Sequence, residues 1–170
     1  MMHQRLLRAT LPLWGLLATL AVTACGWQLR GATQLPAEIS PVYVQGRTPF
    51  AAIDRHLARA LESAGVRLAD SRAGAGSVLR ILGEDTGRRL LTVDGRGKGL
   101  EYELYQILEF DLTDAAGTEL VPPQRLVARQ ALLNPEIQTL GKQQEQEDLR
   151  EAMREDLATR VINRLEARLR

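Results

Sequence analysis

The chain has 170 residues, with 22 Lys and Arg set against 21 Asp and Glu, and 45% of its residues are hydrophobic. That charge balance argues against a nucleic-acid binder, which would carry a basic excess. The apolar content, carried by Leu, Ala, Val and Ile rather than aromatics, is that of a globular chain rather than a disordered one. A single cysteine excludes any disulfide within the chain.

The first segment reads as a leader. Arg5 and Arg8 precede an apolar run from Leu11 to Ala24, which closes on the small residues Thr23 and Ala24 before Cys25. A positive flank, a short apolar core and small residues make a secretory signal peptide over residues 1–24. The run is too short to cross a bilayer, which takes roughly 20 apolar residues. Val22-Thr23-Ala24-Cys25 has the order of a lipobox, an aliphatic residue and two small ones before a Cys. This predicts that Cys25 carries N-acyl and S-diacylglycerol groups after the leader is removed; an ordinary signal peptide followed by an incidental Cys is the other reading. Gly26 rather than Asp follows the Cys, which in the bacterial sorting pattern directs the protein to the outer membrane. The leader holds two Arg and no acid, so the rest of the chain stays near neutrality.

Residues 25–41 carry Gly26, Gly31, Pro36 and Pro41 and no sustained periodicity, and are expected to form a lipidated tether; residues 42–170 are expected to form one domain. Val42–Gln45 reads as a short strand. A helix follows, with Thr48 as N-cap and Pro49 at N1. Phe50, Ile53, Leu57, Ala60, Leu61 and Ala64 form its apolar stripe, and Gly65 is placed to end it. Val78–Leu82 begins a second strand that pauses at Gly83–Gly87 and resumes over Arg88–Val93. After the turn Asp94–Gly99 comes the clearest alternation in the chain: Leu100, Tyr102, Leu104, Leu108, Phe110 and Leu112 on one face, Glu101, Glu103, Glu109 and Asp111 on the other. Asp114–Gly117 reads as a hairpin turn. The strand after it holds Pro122 and Pro123, which bar its first part from the middle of a sheet. A last helix is expected from about Gln143, with Leu149, Ala152, Met153, Leu157, Val161, Ile162, Leu165 and Leu169 as its stripe. The order predicts an α+β two-layer sandwich, two helices on one face of a four-stranded, mostly antiparallel sheet.

Chemistry is sparse. Past the leader the one histidine is His56, expected on the polar, solvated flank of the first helix, with no second His or Cys to make a metal site. Glu101 and Glu103, two apart on a strand, read as its wet face rather than a catalytic pair. Gly95-Arg96-Gly97-Lys98-Gly99 is not a Walker loop, because Gly rather than Ser or Thr follows the Lys and a strand rather than a helix comes next. It is either a plain hairpin tip or an exposed basic tip that meets an anionic ligand, with Arg88 and Arg89 thickening the patch if they lie close.

Cys25-Gly-Trp-Gln-Leu-Arg-Gly31 behind the lipobox resembles the opening of the LptE family, the lipopolysaccharide-assembly lipoproteins also called rare lipoprotein B. The resemblance runs on through the short strand and Pro-led helix, Gly65-Val66, Glu101-Tyr102, Asn134-Pro135 and the charged last helix. It implies two helices on a four-stranded sheet and no enzymatic activity. It implies an LptD-type outer-membrane β-barrel as partner, which the protein plugs and helps to assemble, and lipopolysaccharide as ligand. It implies ligand contacts on basic residues near the turn before the long strand and near the start of the last helix, a region rather than matched positions; the basic groups this chain offers there are Arg96 and Lys98, with Lys142 further on, and Arg88 and Arg89 at the previous strand edge are further candidates. Rival readings are a lipid-anchored subunit of another envelope complex and a tethered periplasmic hydrolase.

Overall fold

The computed structural model describes residues 34–46, 52–133 and 139–170, with only the backbone described at 52 and 139–143. All lie in one compact unit, Ala32–Arg170. The elements are β1 (Val42–Gln45), α1 (Ala52–Ser63), β2 (Ser77–Val93), β3 (Gly99–Asp114), β4 (Glu119–Leu133) and α2 (Thr139–Leu169). The sheet runs β1-β2-β3-β4, parallel between β1 and β2 and antiparallel elsewhere. This is the expected α+β sandwich, and its core lies between the sheet and the two helices.

Each layer follows from its periodicity. Leu104, Leu108, Phe110 and Leu112 of β3 are buried, facing Ile53, Leu57 and Leu61 of α1 and Met153, Leu157, Val161 and Leu165 of α2 in one cluster. α1 ends in a Schellman motif: Gly65, at φ +81°, donates to the Glu62 carbonyl, and Val66 to that of Leu61. The expected N-cap pair Thr48 and Pro49, and Phe50 with them, lie outside the described residues.

Four features depart from the sequence reading. The tether does not extend to Pro41. Leu35 and Ile39 are buried in the core, Leu35 N–H donates to the Ala64 carbonyl at 3.2 Å, and the Ser77 hydroxyl donates to the Ile39 carbonyl at 2.6 Å. β2 is one strand of 17 residues, without a pause at Gly83–Gly87. The glycines remain in the ladder because partners on β3 fill the room their side chains would take. A Cβ on Gly87 would lie 2.5 Å from the Tyr105 hydroxyl, and one on Gly83 3.2 Å from a Glu109 carboxylate oxygen. The ladder's irregularities are register shifts between Ile81 and Gly83, at the entry to this stretch, and between Leu90 and Thr92 and between Thr92 and Val93 near the strand's end. α2 begins at Thr139, about a turn before Gln143, and its buried stripe takes Ala158 in place of Ala152, which is exposed. Finally, His56 is buried rather than solvated. β4 is an edge strand, as its prolines require, and the register breaks around them between Phe110 and Leu112 of β3.

Candidate functional site

The β2–β3 hairpin ends in the basic tip. Asp94 organises it: its backbone N–H donates to the Lys98 carbonyl, its carbonyl accepts from Gly97, and Oδ1 accepts the N–H groups of both Arg96 and Lys98 at 2.8 Å. Gly97 sits at φ +81°, a conformation that favours glycine. Arg96 and Lys98 therefore project from a folded turn, both exposed. The two backbone donors hold the Asp94 carboxyl below its ordinary pKa. A folded pKa depressed in this way supplies order above the unfolded value, and that order is lost as pH falls through the folded one. Asp94→Ala should accordingly speed amide exchange at Arg96 and Lys98 with little change in melting temperature. The native tip should loosen the same way only on acidification below the usual Asp range. Unchanged exchange at both amides in the variant would show that the turn holds without the carboxylate.

Arg88 and Arg89 do not join this tip. Being adjacent on a strand they point to opposite faces, about 16 Å along β2 from its end. Arg88 lies over the Tyr102 ring, 5.1 Å from its centroid, and Arg89 pairs with Glu103 at 3.0 Å. Lys142 lies in the first turn of α2, which is separated by five residues from the end of β4 opposite Glu101, near the tip. Its side chain is outside the described residues.

The sheet face away from the helices carries a feature that the sequence reading missed. Three of the four acids on this face of β3 are matched by arginines of its neighbours, while Glu101 accepts from the Thr92 hydroxyl at 3.3 Å. Arg80 makes a two-point contact with buried Asp111, Arg125 lies 3.2 Å from Glu109, and Arg89 and Arg129 both approach Glu103, at 3.0 and 3.6 Å. The acidic stripe is thus an arginine–carboxylate ladder, polar but largely neutralised. Its signal was available in Arg125 and Arg129, four apart on a strand and hence on one face.

His56 belongs to the helix pair. Its Nδ1 accepts from the Arg59 guanidinium at 3.1 Å and its Nε2 lies 2.9 Å from Glu151, which also pairs with Arg154 at 2.8 Å. Those contacts, chiefly the Arg154 hydrogen bond, hold the Glu151 carboxyl below its ordinary pKa. Buried and fixed between a cation and a carboxylate, His56 ties α1 to α2. Among the described residues no three His, Cys, Asp or Glu side chains gather as metal ligands, and no helix is long and apolar enough to cross a membrane.

The architecture is that of small bacterial lipoproteins with two helices on a four-stranded sheet. The solution structure of lipoprotein B from Nitrosomonas europaea superposes with a TM-score of 0.71 at 24% identity, covering 84% of this chain and 91% of that one. Rare lipoprotein B from Shewanella oneidensis gives 0.64 at 24%, covering 74% and 93%. At those identities the likeness speaks for the fold. The sequence carries it further: the family model of LptE, described as lipopolysaccharide-assembly, matches residues 39–165, and the chain belongs to that family of lipopolysaccharide-assembly lipoproteins. LPS-assembly lipoprotein LptE of Pectobacterium atrosepticum is 29% identical over 88% of this chain and 80% of its own, and that of Yersinia pestis 28% over 88% and 72%.

Proposed function

We propose that this chain is an outer-membrane lipoprotein, anchored through acyl groups on Cys25, that plugs and helps assemble an LptD-type β-barrel and binds lipopolysaccharide on its way to the cell surface. It acts by binding, without catalysis, within the barrel lumen and facing the periplasm. Family membership over residues 39–165 is the observation that carries this reading. The site chemistry agrees with it. The arginine–carboxylate ladder offers a hydrogen-bonding but nearly neutral face, suited to a polar barrel wall. Arg96 and Lys98 on a preorganised tip, with Lys142 at the same end of the sheet, supply cations for the phosphates of lipid A through charge-assisted contacts.

The test is the double variant Arg96→Glu, Lys98→Glu. Each exposed ionic contact is worth about 0.2–1 kcal/mol, so removing two and adding repulsion should weaken lipopolysaccharide binding severalfold. Binding by the native protein should fall with added salt. The melting temperature should hardly move, since the tip is exposed. Unchanged affinity would move the ligand elsewhere, and failure of the folded native chain to co-purify with any barrel would overturn the plug reading.

A further inference from the structure

The large apolar side chains left exposed are not spread evenly. Among the described residues there are seven, and five of them, Leu90, Leu91, Val93, Leu100 and Leu133, lie at one end of the sheet. That end carries the basic tip. β2 and β4 finish there and β3 begins, with Leu90 opposite Tyr102, Val93 opposite Gly99, and Glu101 between Thr92 and Leu133 in register. Strands lie about 4.8 Å apart and rise about 3.3 Å per residue, so the five form a band roughly 10 Å wide and 10 Å deep beneath the turn. The other hairpin has neither feature. Its turn, Asp114–Gly117, holds no Lys or Arg, and Leu120 beyond it is only 37% exposed.

Scattered exposed leucines are ordinary, but a cluster of them rimmed by charge marks an interaction surface. Leu90 and Tyr102 share the helix side of the sheet, where both close over Gly99 so that a Cβ there would collide with them. Leu133, 69% exposed, lies opposite Glu101 on the other side. The apolar surface is therefore a collar around the root of the tip. Arg96 follows Val93 by three residues, and Lys98 precedes Leu100 by two. The acid in this turn, Asp94, has its Oδ1 engaged by the backbone N–H groups of Arg96 and Lys98. A ligand that satisfies tip and collar together must join an anionic group to apolar chains within about 10 Å. A sugar phosphate alone would leave the collar wet, and a neutral lipid would leave the cations unused.

We propose that the collar of Leu90, Leu91, Val93, Leu100 and Leu133 is a subsite for the acyl chains of lipid A, whose phosphates meet Arg96 and Lys98. It rests on the lipopolysaccharide reading and deepens it: the tip supplies the charge, and the collar supplies the larger share of the affinity.

The test is a binding titration of the full chain in non-ionic detergent against two probes, lipopolysaccharide and its fully deacylated phospho-oligosaccharide. Native protein should bind the acylated probe at least tenfold more tightly. Burying what is still exposed of a leucine is worth about fivefold in affinity. Leu90→Ser with Leu133→Ser should accordingly weaken lipopolysaccharide binding about tenfold or more and leave the deacylated probe unaffected. Leu90→Met with Leu133→Met should keep native affinity, and Arg96→Glu with Lys98→Glu should weaken both probes. Equal native affinity for the two probes would overturn the collar even if a leucine variant misfolds. So would a folded serine variant that binds lipopolysaccharide as the native chain does, or phosphatidylglycerol competing as well as lipopolysaccharide. A native chain that binds neither probe would instead overturn the lipopolysaccharide reading itself, and the collar with it.

Discussion

Phe110→Ala should cost this fold about 3–5 kcal/mol, the usual range for removing a buried aromatic ring and leaving a cavity behind. Phe110 is 0% exposed on β3, between Ile81 of β2 and Gln124 of β4 in register. β3 has a strand on each side, and the ring sits in the one cluster shared by sheet, α1 and α2. The helices cannot close over the space without moving off the sheet, so little of the cavity can collapse. Folded domains are stable by only about 5–15 kcal/mol. For a chain of this size each kcal/mol moves the midpoint by about 2–4 °C, giving a drop of roughly 6–20 °C. Thermal melting followed by circular dichroism measures it, with Ile107→Ala on the half-buried opposite face of β3 as the comparison. Equal and small shifts in the two variants would mean that the helix layer does not press on the sheet at Phe110.

The layers were legible because they rest on period. The alternation of β3 and the helical stripe of Ile53, Leu57 and Leu61 each need only a local pattern and a face to bury. Gly65 was legible as well, since a left-handed residue after a helix has few alternatives to glycine. What escaped depended on partners distant in sequence. Gly83 and Gly87 look like a break in a strand until Tyr105 and Glu109 are seen to fill their empty side. His56 sits on the edge of its helical stripe, and only the arrival of Glu151 from α2 makes it an inward residue. Leu35 and Ile39 lie in a stretch without periodicity, because a single turn pinned by Ala64 and Ser77 carries none.

The candidate site divides the same way. Arg96 and Lys98 could be placed on an exposed turn from their glycines. That Asp94 would preorganise the turn through two backbone donors depended on the register of the hairpin. The separation of Arg88 from Arg89 follows from strand parity alone, since both already lay on the strand segment expected over Arg88–Val93 and adjacent strand residues point to opposite faces. Glu101 and Glu103 read as a wet face but are half-buried, and Asp111 on the same side is buried; the neutralisation of Glu103, Glu109 and Asp111 came from Arg80, Arg89, Arg125 and Arg129, contributed by two other strands.

Cys25→Ser should separate anchoring from folding completely. The proposed anchor begins with a thioether on Cys25, which a serine hydroxyl cannot replace, and leader removal in lipoproteins follows that acylation. The variant should therefore keep its leader and remain in the inner membrane as an unprocessed precursor. Two or three acyl chains hold a protein stably at a bilayer where one chain binds only marginally, so the native chain should resist extraction by salt. The packed core runs from Leu35 to Leu165 and draws nothing from an acyl group. A version beginning at Gly26 should consequently fold, melt close to the native temperature and stay in the soluble fraction, while still associating with a co-expressed barrel, though less efficiently. Intact mass of the mature native protein decides the first step. A mass showing Cys25 at the N-terminus with diacylglycerol and an N-acyl chain is the expected result; an unmodified terminus, or one at another residue, would remove the anchor from the proposal.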